Sequence, residues 1–380
     1  MVPDGLAGGQ SWTMHACLPP TRHAMRSSCA ANALCFGHGL QSPRSVLAEL
    51  ADEAGDEQAD RYGEGAVIND FEREVATLLG KEAAVFLPSG TMAQQIALRI
   101  WADRAHTPMV AFHPTCHLEI HEQKGYQLLH GLHAQLVGER TRLLTVEDLC
   151  ATTGPLAALL LELPQREIGG QLPAWPDLEA QARWARERAI ALHMDGARLW
   201  ECAPFYERSY AEIAGLFDSV YVSFYKGIGG IAGSALAGPA EFIATARVWQ
   251  RRHGGNLIQL YPFVLSARTN LRRRIAKFTS YYERAQAVGR VLSAIGGISI
   301  KPDPPQTNMM HVYLQGSADV LMDAGIDVAR TDGVALFRRM IPTGVPGLAA
   351  FELSIGDGAE ALSDQEIDGY FRRIMSAATS

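Results

Sequence analysis

The sequence predicts an α/β protein: a large domain built on a mostly parallel sheet, then a smaller α+β lobe at the carboxyl end. Three observations carry that expectation. Short apolar runs alternate with stretches of helical periodicity from residue 66 to residue 224, as they do when helices cover both faces of a parallel sheet. Two of the runs, 189–194 and 220–224, break within two residues at a charged side chain followed by glycine, Asp195-Gly196 and Lys226-Gly227. Buried strands of open sheets end in this way, and ligands bind beyond their carboxyl ends. Finally, 380 residues exceed one ordinary core, so a second packed lobe is expected.

Residues 1–28 are rich in Gly, Pro, Ser and Met, lack a continuous apolar signal-peptide core, and read as a loose amino-terminal extension. The large domain is expected over 29–270 and the small one over 271–380. Within 42–54, Val46, Leu47 and Leu50 share one helical face. The turn-like RYGEG at 61–65 gives way to a helix over 66–80, where Ile68, Phe71, Val75 and Leu78 recur at helical spacing. A strand over 83–87 is broken by Pro88-Ser89-Gly90-Thr91 before a helix over 92–102. Strands follow at 109–112, 156–163, 189–194 and 220–224, with a helix over 177–188. Around 268–290 one long, arginine-rich helix is expected to leave the sheet for the small domain. Proline-rich KPDPPQ at 301–306 and turn signals at 341–347 punctuate that domain.

The formal charge of −7 disfavours nucleic acid and anionic membranes as partners. No run reaches the roughly eighteen apolar residues needed to cross a bilayer. Cys17, Cys29, Cys35, Cys116, Cys150 and Cys202 form no CxxC pair and no zinc-ribbon spacing, so six reduced thiols in a cytoplasmic protein are expected. Of the 34 basic side chains only Lys81, Lys124, Lys226, Lys277 and Lys301 are lysines, which shortens the search for a nucleophilic amine.

Lys226 has the setting such an amine needs. It follows an apolar strand and precedes Gly227, Gly229 and Gly230, which let the backbone approach a ligand closely. Desolvated there, it would attack a carbonyl as the free amine; a lysine marking a strand end in solvent is the plainer alternative. Asp195, within MDGAR, is either an ordinary Asp-Gly turn or a carboxylate aimed at the same site. Arg198, three residues on, could turn to that site and grip a substrate carboxylate, or sit in a surface ion pair. A lysine able to bond an aldehyde, with a carboxylate able to keep a pyridine nitrogen protonated, suits pyridoxal phosphate (PLP).

Ser89-Gly90-Thr91 offers hydroxyls and free N–H groups for a phosphate, or plain N-capping. In HPTCHLEIHE at 113–122, His113, His117 and His121 recur every four residues and Glu122 follows. Pro114 interrupts a helix through them and the HExxH order is missing, so no metal is expected. His117 is better used stacked on a cofactor ring; histidines that cap or pack the helix are the alternative.

Together these segments resemble the L-threonine aldolase/β-eliminating lyase family of fold-type-I PLP-dependent enzymes. The matching pieces are YGEGAVINDFEREVATLLGKEAAVFLPSGTM at 62–92, HLEIHE at 117–122, HMDGARLW at 193–200 and SFYKGIGGIAGSALAG at 223–238, in order over about residues 60–260. The resemblance implies a fold-type-I architecture, with the cofactor bonded to Lys226, Asp195 on its pyridine nitrogen and His117 on its ring. Ser89, Gly90 and Thr91 would cradle the phosphate, and Arg198 would bind the substrate carboxylate. Tyr62 would reach a neighbouring subunit's site in a homodimer or homotetramer, because the family builds its sites at subunit interfaces.

The implied reaction is retro-aldol cleavage of a threonine-like β-hydroxy-α-amino acid to glycine and an aldehyde. Glu122, His121 and a water are all open as the base for the β-hydroxyl proton. A β-elimination giving a 2-oxo acid and ammonia is the alternative, with racemisation or amino transfer behind it. A non-catalytic interaction protein that kept the fold is the alternative of another class, and it would take up no PLP.

This chain departs from the family in four places. MRSSCAANAL at 25–34 stands for an LRSDT-like segment, and Gln165, in ELPQREIGG, for a histidine implicated in handling the substrate hydroxyl. Ile258, in GGNLIQ, replaces an arginine, and Glu352, in FELSIG, replaces a second carboxylate-binding arginine. A negative Glu352 would repel a substrate carboxylate unless protonated or turned away. The cofactor site therefore reads as intact and the substrate site as altered.

Overall fold

The computed structural model describes residues 32–34, 37–39 and 41–379; the expected extension at 1–28, most of the segment at 25–34, and Cys17, Cys29 and Cys35 lie outside the described residues. The strands are β1 (Asn32–Ala33), β2 (Ala83–Leu87), β3 (Met109–Phe112), β4 (His133–Leu136), β5 (Ala158–Glu162), β6 (Ala191–Gly196), β7 (Ser219–Ser223), β8 (Ser234–Gly238), β9 (Ile298–Lys301), β10 (Met309–Gln315), β11 (Val334–Ala335), β12 (Ile341–Pro342) and β13 (Leu348–Ser354). A seven-stranded sheet runs in the order β2-β8-β7-β6-β5-β3-β4. Strand β8 pairs antiparallel with both β2 and β7, and every other pairing is parallel. Six strands thus point one way, and their carboxyl ends share one edge.

Burial explains the sequence pattern. Strands β7 and β8 are buried throughout and β5 all but its last residue, so the runs are continuously apolar rather than alternating. At the edge, β4 (HAQL) is exposed at both ends and can carry polar side chains. The helix Gly90–Ala105 starts two residues before the expected one, because the Met92 N–H donates to Ser89 Oγ at 3.3 Å and caps it there. The helix Ala66–Leu78 buries Val67, Ile68, Phe71 and Val75 at helical spacing. Glu72 lies on the same buried face, satisfied by the Phe86 N–H at 2.8 Å and by the Arg247 guanidinium.

The long helix expected around 268–290 is two helices, Tyr261–Arg274 and Phe278–Ser293, joined by a tighter turn at Ile275–Lys277. No glycine or proline marks the break. At it Arg274 turns inward, donating from Nη1 to the Ile228 carbonyl at 2.8 Å and from Nε to Asp357 at 3.0 Å. A four-stranded antiparallel sheet, β12-β13-β10-β9, carries the carboxyl-terminal part, with Phe351 packed between Phe337 and Phe371. Strand β1 pairs parallel with β11 and so draws residues 32–33 onto this part of the chain.

The loop after β7 is fixed at both ends. Phe224 packs on Phe71 and Phe86, with ring centroids 5.1 and 6.1 Å away. The Trp200 indole N–H donates to the Ser223 carbonyl at 2.9 Å. The Phe224 N–H donates to the Gly233 carbonyl at 3.0 Å, and the Gly230 N–H to the Phe224 carbonyl at 2.7 Å. Gly233 has φ +103°, and a Cβ there would lie 2.2 Å from the Phe86 ring, so the loop closes only on glycine. Lys226 is carried on this closed loop.

Candidate active site

The shared carboxyl edge brings the expected residues together. Asp195 is the penultimate residue of β6, and Lys226 lies three residues beyond β7, its parallel neighbour. Ser89-Gly90-Thr91 follows β2, His117 follows β3, and Gln165 follows β5. Burial is the main influence on Lys226: it lowers the amine to about 8, with Arg198 and Arg166 pushing the same way and Asp195 and Glu162 opposing. Burial raises Asp195, against the pull of His117 and Lys226, and its Oδ1 accepts the Ala197 N–H at 3.1 Å.

These shifts give a pH dependence with a definite sign. A lowered lysine is protonated below its folded value, and only the free amine attacks an aldehyde. The rate at which apoprotein takes up added PLP should therefore rise about tenfold per unit up to near pH 8 and flatten above it, as followed by cofactor absorbance. A flat profile from pH 6 to 9 would contradict the burial of the amine.

Gly90 opens its helix against two phenols. Its N–H donates to Tyr225 Oη at 3.3 Å, Tyr225 and Tyr221 hydroxyls lie 3.3 Å apart, and a Cβ on Gly90 would meet Tyr221 Oη at 1.9 Å. Gly90→Ala should cost about 1–3 kcal/mol of stability by overpacking, and should weaken PLP retention. Denaturant midpoints with and without cofactor would show both effects.

His117 is oriented by Glu122, whose Oε1 lies 2.9 Å from Nδ1 while its Oε2 accepts from Gln95 at 3.2 Å. The other histidines of that stretch go to separate partners. His113 contacts Thr115 and the carbonyls of Glu139 and Arg142, while His121 Nε2 lies 2.8 Å from Glu167. Sequence reasoning missed a belt of acids around the amine. Burial raises Glu162 to about 8, helped by Asp195, and raises Glu201 to about 7 against Arg198. Gln165, in the place of the family's histidine, donates to Glu162 at 3.0 Å and to Thr115 at 3.2 Å. Arg166 was missed too, although it adjoins Gln165.

Glu352 is neither protonated nor turned away. Burial opposes its ionisation, but Arg166 and Arg198 outweigh that and hold it down at about 2. Tyr62 is the residue expected at a neighbouring subunit's site rather than beside this chain's own Lys226. It is half exposed at φ +51°, with its N–H on the Ile258 carbonyl, and lines a separate cleft of about 1130 Å³ with Arg73, Arg247 and Asn256. None of Lys226, Asp195, His117 and Arg198 lines that cleft.

The donor set on the sheet edge fits PLP. It supplies an amine kept short of full protonation, a buried carboxylate on the adjacent strand, and hydroxyls at the amino terminus of a helix. Comparisons with known proteins agree. The family model described as beta-eliminating lyase matches residues 44–316. Low-specificity L-threonine aldolase 1 of Arabidopsis thaliana is 26% identical over 70% of this chain and 77% of its own. Aldolase vrtJ of Penicillium aethiopicum is 32% identical over 68% of each chain. A solved structure from Listeria monocytogenes, provisionally assigned as an L-allo-threonine aldolase, is 43% identical, superposes with a TM-score of 0.89, and covers 94% of this chain and 99% of its own. With a partly buried lysine just beyond one strand, a buried aspartate at the end of its parallel neighbour and a family match across most of its length, this chain belongs to the beta-eliminating lyase family.

Proposed function

We propose that this chain is a PLP-dependent lyase that cleaves a threonine-like β-hydroxy-α-amino acid to glycine and an aldehyde by retro-aldol chemistry. The observation that carries the reading is the placement of Lys226, with its lowered amine, just beyond β7, and of Asp195 at the end of the parallel neighbour β6. Bound PLP supplies an electron sink for the electrons of the breaking Cα–Cβ bond. Lys226 would anchor the cofactor through its aldehyde. Asp195 would keep the proton on the pyridine nitrogen, and that adjacent cation would in turn favour its ionised form. His117, steadied by Glu122, would support the ring, while Ser89, Gly90 and Thr91 would hold the phosphate. Arg198 orients the substrate through its carboxylate. For the β-hydroxyl proton His121 is the best supported base: Glu122 is committed to His117 and Gln95, whereas Glu167 engages only Nε2 of His121 and leaves Nδ1 to accept.

Tyr62 is proposed to serve the site of a second copy in a homodimer or homotetramer. Its exposure, and that of Leu128, Leu129 and Ile258, supports an interface. A cytoplasmic setting is proposed from the cysteine spacing of the sequence, and no helix among the described residues is long and apolar enough to cross a membrane.

The test is to supply PLP-loaded protein with L-threonine and L-allo-threonine and to assay both product pairs. Glycine plus acetaldehyde is expected. 2-Oxobutanoate plus ammonia instead would move the chain to β-elimination, and neither pair from loaded enzyme would exclude threonine as the substrate.

A further inference from the structure

Glu352 sits on β13, opposite His311 of β10, and reaches from the carboxyl-terminal sheet to the edge that carries Lys226. Its two oxygens divide between two guanidinium groups. Oε2 lies 2.7 Å from Arg166 Nε, and Oε1 lies 3.4 Å from Arg198 Nη2. Both arginine side chains are largely buried, and both push the proton off Lys226, so their charges face the reacting end of the site. One carboxylate shared by two arginines is how a bound α-carboxylate would be held here. In this structure the chain supplies that carboxylate itself.

The two halves of the contact are unequal. Arg166 is also fixed by Glu167, whose Oε1 lies 2.6 Å from its Nη1 and 2.8 Å from His121 Nε2. Arg198 is held loosely, by Glu352 at 3.4 Å and by Glu201 at 3.8 Å. The arginine assigned to the substrate is thus the one that Glu352 can most easily release.

We propose that Arg166 is the second arginine of the substrate-carboxylate grip, and that Glu352 occupies this grip until an amino acid's carboxylate displaces it. The inference rests on the proposed function only in taking the substrate to be an α-amino acid; the bond broken does not enter. Two anions cannot share the same guanidinium pair without repulsion, so an arriving carboxylate must take Arg198 from Glu352. Arg166, held in place by Glu167, then meets the second carboxylate oxygen. Glu352 is therefore an internal competitor, and its removal should help binding rather than harm it.

The test titrates holoenzyme with glycine and with glycinamide, following the cofactor absorbance. Arg166→Gln should weaken glycine binding at least about tenfold and leave glycinamide within about twofold, because only glycine carries the carboxylate. Glu352→Gln should tighten glycine binding by about tenfold, again with glycinamide unmoved. Arg166→Lys should recover part of the affinity, and with Glu352→Gln it carries the test if Arg166→Gln does not fold. Wild-type glycine affinity in Arg166→Gln, equal losses for both ligands, or weaker glycine binding in Glu352→Gln would each overturn the proposal. If the binding shifts occur and threonine gives 2-oxobutanoate and ammonia, the grip stands and the retro-aldol reading falls. Cleavage of threonine with unaltered glycine binding by Arg166→Gln would sink the grip alone.

Discussion

Lys226→Ala is expected to lose at least about a thousandfold in turnover and to be isolated without the lysine-bonded cofactor's absorbance, while keeping its fold. The catalytic loss has two sources: no amine remains to bond the cofactor, and none remains to move a proton at that position. The fold should survive because the amine contributes little to it. Its lowered value means that the folded surroundings disfavour the charged form, chiefly by desolvation and then by Arg198. The loop is held instead by Phe224, by the Trp200 indole and by backbone hydrogen bonds to Gly233 and Gly230, none of which uses the lysine side chain. Apoprotein melting should therefore match or exceed wild type. Substantial turnover in this variant would remove Lys226 from the mechanism.

Asp195→Asn should have the second largest effect, a fall in kcat of about 10²–10⁴ with PLP still taken up. The side chain is almost fully buried, and Oδ1 accepts the Ala197 N–H. Asparagine keeps that acceptor, so the turn after β6 survives. What it removes is the negative charge that holds a proton on the pyridine nitrogen. The split between retained uptake and lost turnover separates this role from a structural one. A kcat within about tenfold of wild type would contradict the assignment.

Much of the sheet edge was legible in the sequence, for a physical reason. Strands buried on both faces are short continuous apolar runs, and the runs before Asp195 and Lys226 end where the chain must leave the core. The runs at 83–87 and 109–112 form strands with those bounds, and the other three move by only one or two residues at each end. Strand β4 was illegible because an edge strand has no need to be apolar, and β8 because SALAG is composed of small residues that suit a loop equally well. The break at Ile275–Lys277 has no local signal, since it is set by distant partners of Arg274.

The substrate side of the site was legible in identity and illegible in arrangement. Gln165 and Glu352 stand out as departures within recognisable segments. Their consequence depends on Arg166, which is separated from Glu352 by 186 positions in sequence and meets it only because β13 faces the edge beyond β5. Glu162, Glu201 and Glu352 are acids, Glu201 buried and the other two partly so, whose ionisation is decided by neighbours from other elements, and no local pattern encodes that.

The most direct test of the account is to load the purified protein with PLP, reduce it with borohydride, digest it, and map the pyridoxyl group. One adduct on Lys226, absent when reduction follows treatment with Lys226→Ala in its place, is the result expected. An adduct on Lys81, Lys124, Lys277 or Lys301, or no stoichiometric adduct at all, would contradict the assignment of Lys226 as the cofactor's anchor.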